Sequence, residues 1–298
     1  MTILQIDHLS KRFGKFQALN DVNLSIRKGE IFGFIGPNGA GKSTTIRILL
    51  GILKPTAGSA SIFGMDVWKD SVEIHKRIAY VPGDANLWPN LTGGEVIDLF
   101  LKLRGSKNPD KKQELIEKFQ LDPTKKCRTY SKGNRQKVAL VAAFASDAEL
   151  FILDEPTSGL DPLMERVFQE YVLKAKAEGK SVLLSSHILS EVERLCDRVA
   201  IIRQGEIIES GSLEDMRHLT RTNLIVETKE PLNGIRDIQG VHEVVETEKG
   251  TSLQVDAEAL DLVIKKVSTL GILRLESTPP TLEDLFMRHY EGTGSDRT

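Results

Sequence analysis

Gly36-Pro37-Asn38-Gly39-Ala40-Gly41-Lys42-Ser43-Thr44 follows the apolar run Ile31 to Ile35 and leads into a helix-like stretch, Thr45 to Leu50. Strand, glycine-rich loop and helix is the context a phosphate cradle requires. Glycines let the backbone curl so that successive N–H groups face a β-phosphate, and the helix adds the positive end of its dipole. Lys42 would reach the β- and γ-phosphates as a mobile point charge. The Ser43 hydroxyl would go to a Mg²⁺ that bridges them. The loop therefore points to a nucleoside triphosphate with Mg²⁺ and leaves open what its hydrolysis drives.

The 298 residues around this loop are 40% hydrophobic and 28% charged, a soluble globular composition sufficient for one large domain or two smaller ones. A formal net charge of -2 argues against a general nucleic-acid binder, which shows a basic excess or stripe. From Leu219 onward there are 9 basic and 14 acidic residues, net -5, which leaves 31 and 28, net +3, for the front part. That split fits a nucleotide-binding front and a separate acidic module. Cys127 and Cys196 stand alone and far apart, so neither a zinc site nor a disulfide framework is indicated, and a reducing cytoplasm is the expected setting. Met1 to Ser10 does not read as a signal peptide, and no run of about 18 apolar residues occurs. Work at a membrane would need a spanning part from another chain.

Ile3 to Leu9 and Val22 to Ile26 alternate apolar and polar residues as half-buried strands do. Between them Lys11-Arg12-Phe13-Gly14 reads as a turn with an exposed aromatic. Phe13 is either a loop residue packed on its own strands or a stacking platform for an adenine ring, worth about 1–3 kcal/mol by analogy with base stacking. Ser59 to Phe63 and Arg77 to Val81 read as short strands. From Gly83 to about Glu149 the texture is helical, with Glu95 to Leu103 and Lys111 to Phe119 carrying apolar residues at three- and four-residue spacing.

Tyr130-Ser131-Lys132-Gly133-Asn134-Arg135-Gln136 precedes a helix-like run, Lys137 to Phe144, with Ser131 as its N-cap. Leu150 to Leu153 is the continuous apolar run of a strand buried on both faces, and it ends in Asp154-Glu155-Pro156. Two acids at a strand's carboxyl end lie where α/β sheets bind ligands.

Together these residues resemble the nucleotide-binding subunit of ABC transporters over roughly Ile3 to Asp215. Gly36 to Thr44 is similar to the Walker A loop, Tyr130 to Gln136 to the signature loop and Phe151 to Glu155 to the Walker B strand. Ser158-Gly159-Leu160-Asp161 resembles the D-loop, His187 the switch histidine and Phe13 the adenine-stacking aromatic. The resemblance implies that Asp154 and Ser43 hold Mg²⁺, that Glu155 polarises the attacking water, and that His187 contacts the γ-phosphate and orients Glu155. General-base help of this kind is worth about 10²–10⁴-fold. It also implies that Ser131 and Gly133 act on the ATP of a partner subunit, so that two copies clamp two nucleotides.

Lys132 and Asn134 stand where this family has glycine and glutamine, and Tyr130 replaces a leucine. Lys132 either adds a cation beside the γ-phosphate or points to solvent. Gly83, in Tyr80-Val81-Pro82-Gly83-Asp84, occupies the position of a glutamine that contacts Mg²⁺ and senses the membrane partner. Either Asp84 substitutes for it or coupling depends on backbone movement. Trp88 and Leu91 are candidates for the surface that docks a cytoplasmic helix of the membrane subunit.

The expected fold is α/β, a P-loop NTPase core with an antiparallel β subdomain and a helical subdomain (about 84–149), spanning 1–218. Residues 219–298 form a small α+β, ferredoxin-like accessory domain with a weak helix at Leu232 to Ile238, a last helix from Thr281 to Phe286 and a disordered end, Gly292 to Thr298. The ending resembles that of drug-efflux-type (daunorubicin-resistance-like) ABC ATPases. The expected function is ATP hydrolysis that powers export of a drug, lipid or other small amphiphile, by a homodimer on the cytoplasmic face of the membrane beneath integral membrane permease subunits. The alternative is a soluble ABC-type ATPase outside transport. Chromosome-acting members would carry a long coiled coil and ribosome-acting members two ATPase units; this chain has neither. A non-catalytic scaffold is disfavoured because Lys42, Asp154, Glu155 and His187 are all present.

Overall fold

Alternating burial along the first 27 residues produces a hairpin of two long strands, β1 (Thr2–Phe13) and β2 (Phe16–Arg27), in a computed structural model that describes residues 1–105, 109–218, 221–247 and 250–278. β1 reaches through the expected turn to Phe13, so only Gly14 and Lys15 remain to reverse the chain. After β3 (Ile31–Ile35), buried at every residue, comes α1 (Lys42–Leu49). β4 (Ala57–Ile62) and β5 (Met65–Asp66) complete an antiparallel sheet of order β2-β1-β4-β5. α2 (Ser71–Arg77), a helix the sequence reading did not assign, leads into β6 (Ile78–Val81).

The helical insert consists of α3 (Gly93–Leu103), α4 (Pro109–Lys118), a short 3-10 turn at Cys127–Thr129 and α5 (Lys132–Phe144). A reciprocal capping box between Thr92 and Glu95 starts α3. β7 (Leu150–Asp154), α6 (Pro162–Ala177), β8 (Ser181–Ser186), α7 (Leu189–Leu195), β9 (Arg198–Arg203) and β10 (Glu206–Ser212) follow. Together they build a six-stranded sheet of order β10-β9-β3-β8-β7-β6, in which β9-β3-β8-β7-β6 pair in parallel. Phe32, Ile46, Leu49, Leu150 and Ile152 belong to a core that also takes in Leu4, Ile6 and Ile26 of the antiparallel sheet. Phe144 of α5 meets Phe151 of β7 at 5.5 Å, Phe168 of α6 at 6.2 Å and Tyr171 at 5.9 Å between ring centroids, which fastens the insert to the sheet.

The consequence for function is positional. β3, β8, β7 and β6 end on one edge of a parallel sheet, the edge where such sheets bind ligands. The glycine loop, His187, Asp154-Glu155 and Pro82-Gly83 extend from those four ends in turn.

The chain divides into two compact units, Met1–Gly211 and Ser212–Thr298. The expected boundary after His218 falls at the end of α8 (Leu213–His218), inside the second unit. That unit holds β11 (Thr222–Thr228), β12 (Val241–Thr247), β13 (Gly250–Val255), α9 (Leu260–Thr269) and β14 (Ile272–Thr278) in an antiparallel sheet of order β12-β13-β11-β14. This is the ferredoxin-like order. The expected helix at Leu232 to Ile238 is a run of turns instead, because Gly234, with φ at 71°, interrupts it. Ile235 still joins Leu224, Val226, Leu253, Val255, Val263 and Val267 in a separate core. The expected last helix and disordered end, Thr281 to Phe286 and Gly292 to Thr298, lie outside the described residues.

Candidate ATP site and adjoining groove

The glycine loop carries β3 into α1. Gly41, at φ 116°, adopts a conformation that favours glycine and gives α1 no side-chain cap. The first N–H groups of α1, which have no intrahelical acceptor, are thus left to an anion. Lys42 is nearly fully buried and donates from Nζ to Gly36 O at 2.5 Å and Pro37 O at 3.2 Å. It also stands 3.6 Å from Glu155 Oε1. Thr45 Oγ1 donates back to Gly41 O at 3.0 Å and closes the loop.

At the end of β7, Asp154 Oδ2 accepts from Ser43 Oγ at 3.1 Å, while Asp154 Oδ1 is buried without a hydrogen-bond partner. Burial pushes the Asp154 carboxyl up, opposed in part by the Ser185 hydroxyl and then by that of Ser43. An orphaned buried carboxylate oxygen beside a serine hydroxyl is an oxygen donor set that suits Mg²⁺. Burial and the Asp154 charge together push the neighbouring Tyr80 phenol up to about 12.

Glu155 occupies a left-handed conformation, φ 49°, that a non-glycine residue adopts only when its surroundings impose it. Its N–H donates to Ser185 O at 2.9 Å, and its carbonyl accepts from Ser158 N at 3.1 Å. The twist carries its carboxylate between the Lys42 ammonium at 3.6 Å and the His187 ring, Nδ1 at 3.4 Å, both on Oε1. His187 is held by a buried pair that the sequence reading missed. Ser186 Oγ donates to Glu191 Oε2 at 2.9 Å and accepts from Ile188 N at 3.0 Å. Burial pushes the Glu191 carboxyl up, with the Ser186 hydroxyl opposing. An acid inside a short helix after a strand carries no sequence signal of such a role.

Lys42, Ser43, Asp154, Glu155 and His187 therefore converge. Ser131 and Gly133 do not join them: among the described residues no hydrogen bond or ion pair links either to Gly36–Thr44. Ser131 caps α5, its hydroxyl accepting from Asn134 N at 3.3 Å. Gly133 presses on the D-loop so closely that a Cβ there would lie 2.4 Å from Gly159 O. Lys132 is exposed, and its Nζ donates to Ser158 Oγ at 2.7 Å. Tyr130 is buried where the family has leucine. Its hydroxyl donates to Asp122 O at 2.5 Å and occupies space that a side chain at Gly93 would fill. Asp161 caps α6, accepting from Leu163 N at 3.1 Å and Met164 N at 3.0 Å.

Phe13 is half-exposed at the tip of the β1–β2 hairpin with Lys11 Nζ over its ring at 5.1 Å. The same hairpin brings Leu19 against Gly41.

Gly83 lies on the Walker B end: a Cβ there would be 3.0 Å from Asp154 O and 3.3 Å from Glu155 Cβ. Asp84 is exposed. Gln136, fully buried and likewise missed from sequence, donates from Nε2 to Pro82 O at 2.9 Å and Pro156 O at 3.1 Å. Beyond Pro82 opens a largely apolar groove of about 280 Å³ whose walls include Leu50, His75, Tyr80, Leu87, Phe100 and Arg104. Trp88, half-exposed, lies 6.0 Å from the Phe100 ring, and Leu91 is partly buried.

Residues 19–158 match the family model described as ABC transporter, and residues 211–290 match the C-terminal domain of ATP-binding protein DrrA1-3-like proteins. The chain is 33% identical over 293 residues to the uncharacterized ABC transporter ATP-binding protein YhaQ of Bacillus subtilis, covering 96% of this chain and 97% of the relative. It is 32% identical over 302 residues to the linearmycin resistance ATP-binding protein LnrL of Bacillus subtilis, covering 96% and 97%. A solved structure, the dimeric structure of MJ0796, a bacterial ABC transporter cassette, superposes with a TM-score of 0.65 at 26% identity over 71% of this chain and 99% of that one. These likenesses favour a transporter subunit over an ABC-type ATPase outside transport. With the loop, the paired acids and the switch histidine assembled at one sheet edge, the chain belongs to the ATP-binding proteins of ABC transporters and is an ATPase of that family.

Proposed function

We propose that this chain hydrolyses ATP at a site completed by a second copy and uses the energy to drive export through separate membrane subunits. The observation that carries the reading is the convergence of Lys42 and His187 on one oxygen of Glu155. A carboxylate so placed is oriented to take the proton of a water attacking the γ-phosphate, and His187 holds it there. Lys42 moves from Glu155 to the phosphates, and the N–H groups of Gly39 to Thr44 bind them. Ser43 and Asp154 would hold Mg²⁺, which supplies charge neutralisation between the β- and γ-phosphates. Phe13 stacks on the adenine ring.

Among the described residues Ser131 bonds only within its own helix start and Gly133 lies against Gly159, which supports their acting on the nucleotide of a second copy. The dimeric state named for the MJ0796 structure accords with that. Resistance to linearmycin, named for LnrL, supports export of a drug, lipid or other small amphiphile as the work performed. No helix among the described residues is long and apolar enough to cross a membrane. The relatives' description as ABC transporter ATP-binding proteins supports a spanning path in other chains, with this subunit on their cytoplasmic face. The groove beside Pro82 is the docking place we assign to a cytoplasmic helix of those chains, with Trp88 and Leu91 at its border. Its occupant would be felt at the site through Gly83 on Asp154 and through Gln136, which ties Pro82 to Pro156. ATP turnover of wild type against Glu155→Gln tests the catalytic assignment.

A further inference from the structure

Arg104 is the one Asp, Glu, Lys or Arg among the residues that line the groove. Arg104 stands one turn beyond Phe100 at the C-terminal end of α3, and both line the cavity. Its guanidinium has no acidic partner among the described residues, and burial alone holds its pKa below the usual value. Among the other partly buried arginines of the unit, Arg135 donates to Tyr130 O at 3.0 Å, and Arg77 and Arg198 meet acids of the chain. Arg77 Nε reaches Glu149 Oε1 at 2.6 Å, and Arg198 Nη1 reaches Glu30 Oε1 at 3.3 Å. The α3 dipole favours a cation at this position, but it leaves the hydrogen-bonding fork unfilled. His75, the other titratable group with a ring nitrogen on the wall, already contacts Leu50 O at 2.9 Å through Nε2.

A desolvated guanidinium without an acceptor is costly, and the acceptor that matches its planar fork best is a carboxylate. We infer that the groove's occupant is a short helix of the membrane subunit presenting an apolar face and one Asp or Glu, whose carboxylate pairs with Arg104. This rests on the docking reading above and adds the chemistry of the partner. The apolar wall supplies contact area, while the single buried pair fixes register and excludes helices that lack the acid.

The test places a photo-crosslinking residue at Leu87 in the full chain, co-expressed with its membrane subunits, and maps the crosslinked peptide by mass spectrometry. The expected peptide is a cytoplasmic segment of a membrane-spanning chain with an Asp or Glu within one helical turn of the crosslink. Arg104→Met and Arg104→Glu should each weaken recovery of the assembled complex by about 30-fold or more. Replacing the mapped acid by Arg should restore assembly to the Arg104→Glu subunit, a rescue that a merely misfolded variant would not show. A crosslinked segment without an acid, full assembly by Arg104→Met, or no rescue by the charge swap overturns the inference while leaving docking intact. Absence of any crosslink to a membrane-spanning chain overturns the docking reading itself, and this inference with it.

Discussion

Replacing Glu155 by Gln perturbs two quantities in opposite senses. The carboxylate is partly exposed and stands 3.6 Å from Lys42 Nζ. At that distance the gross attraction is about 4–5 kcal/mol for an effective dielectric of about 20. Solvent screening and the hydrogen bonds Lys42 keeps to Gly36 O and Pro37 O reduce the net value to about 1 kcal/mol. Glu155→Gln releases Lys42 from that pairing and removes a negative charge from beside the triphosphate, so ATP should bind about 5-fold more tightly. The same substitution removes the proton acceptor, so kcat should fall by about 10²–10⁴-fold. Equilibrium binding of a fluorescent ATP analogue and steady-state phosphate release measure the two effects separately. A kcat within threefold of wild type would refute Glu155 as the base. Weaker binding in the variant would refute the competition between Glu155 and phosphate for Lys42.

The orphaned, buried Asp154 carries a charge whose pKa burial raises, so ionising it costs the folded state stability. That cost is present above the raised folded value and vanishes as pH falls below the ordinary value of 3.8. Asp154→Asn, which keeps an acceptor for Ser43, should therefore raise the melting temperature by about 2–4 °C at pH 7 in a chelator, with the gain shrinking toward pH 4. Equal melting curves at pH 7 would contradict this. Lys132 and Ser158 form an exposed contact joining the signature loop to the D-loop. A double-mutant cycle of Lys132→Met and Ser158→Ala should give a coupling of about 0.2–1 kcal/mol in thermal or urea unfolding, and additive effects would show the contact to be idle.

The phosphate loop, the buried strand ending in Asp154-Glu155 and the Ser131 cap were legible because each depends on a local pattern: glycine placement, an unbroken apolar run, a short polar residue before a helix. The ferredoxin-like module was legible from the succession of strand-like and helix-like stretches. The helix at Leu232 to Ile238 was not, since its apolar spacing is overruled by the left-handed Gly234, and Ile235 reaches the core from a turn. α2 and α6 escaped because their apolar faces mix with exposed Val72, Leu163 and Leu173. Contacts between distant segments leave no local trace. Nothing near Lys132 announces Ser158, nothing near Tyr130 announces the space at Gly93, and Gln136 reads as the last residue of the signature-like loop until its bonds to Pro82 and Pro156 are seen.

The composite site is tested most directly by mixing two inactive subunits, one carrying Lys42→Ala and the other Ser131→Arg, and measuring ATP turnover of the mixture. If Ser131 completes the site of a second copy, heterodimers contain one intact site, and an equal mixture should regain about a quarter of wild-type turnover. Turnover no greater than the sum of the two variants alone would place Lys42 and Ser131 in the same chain's site and contradict the account.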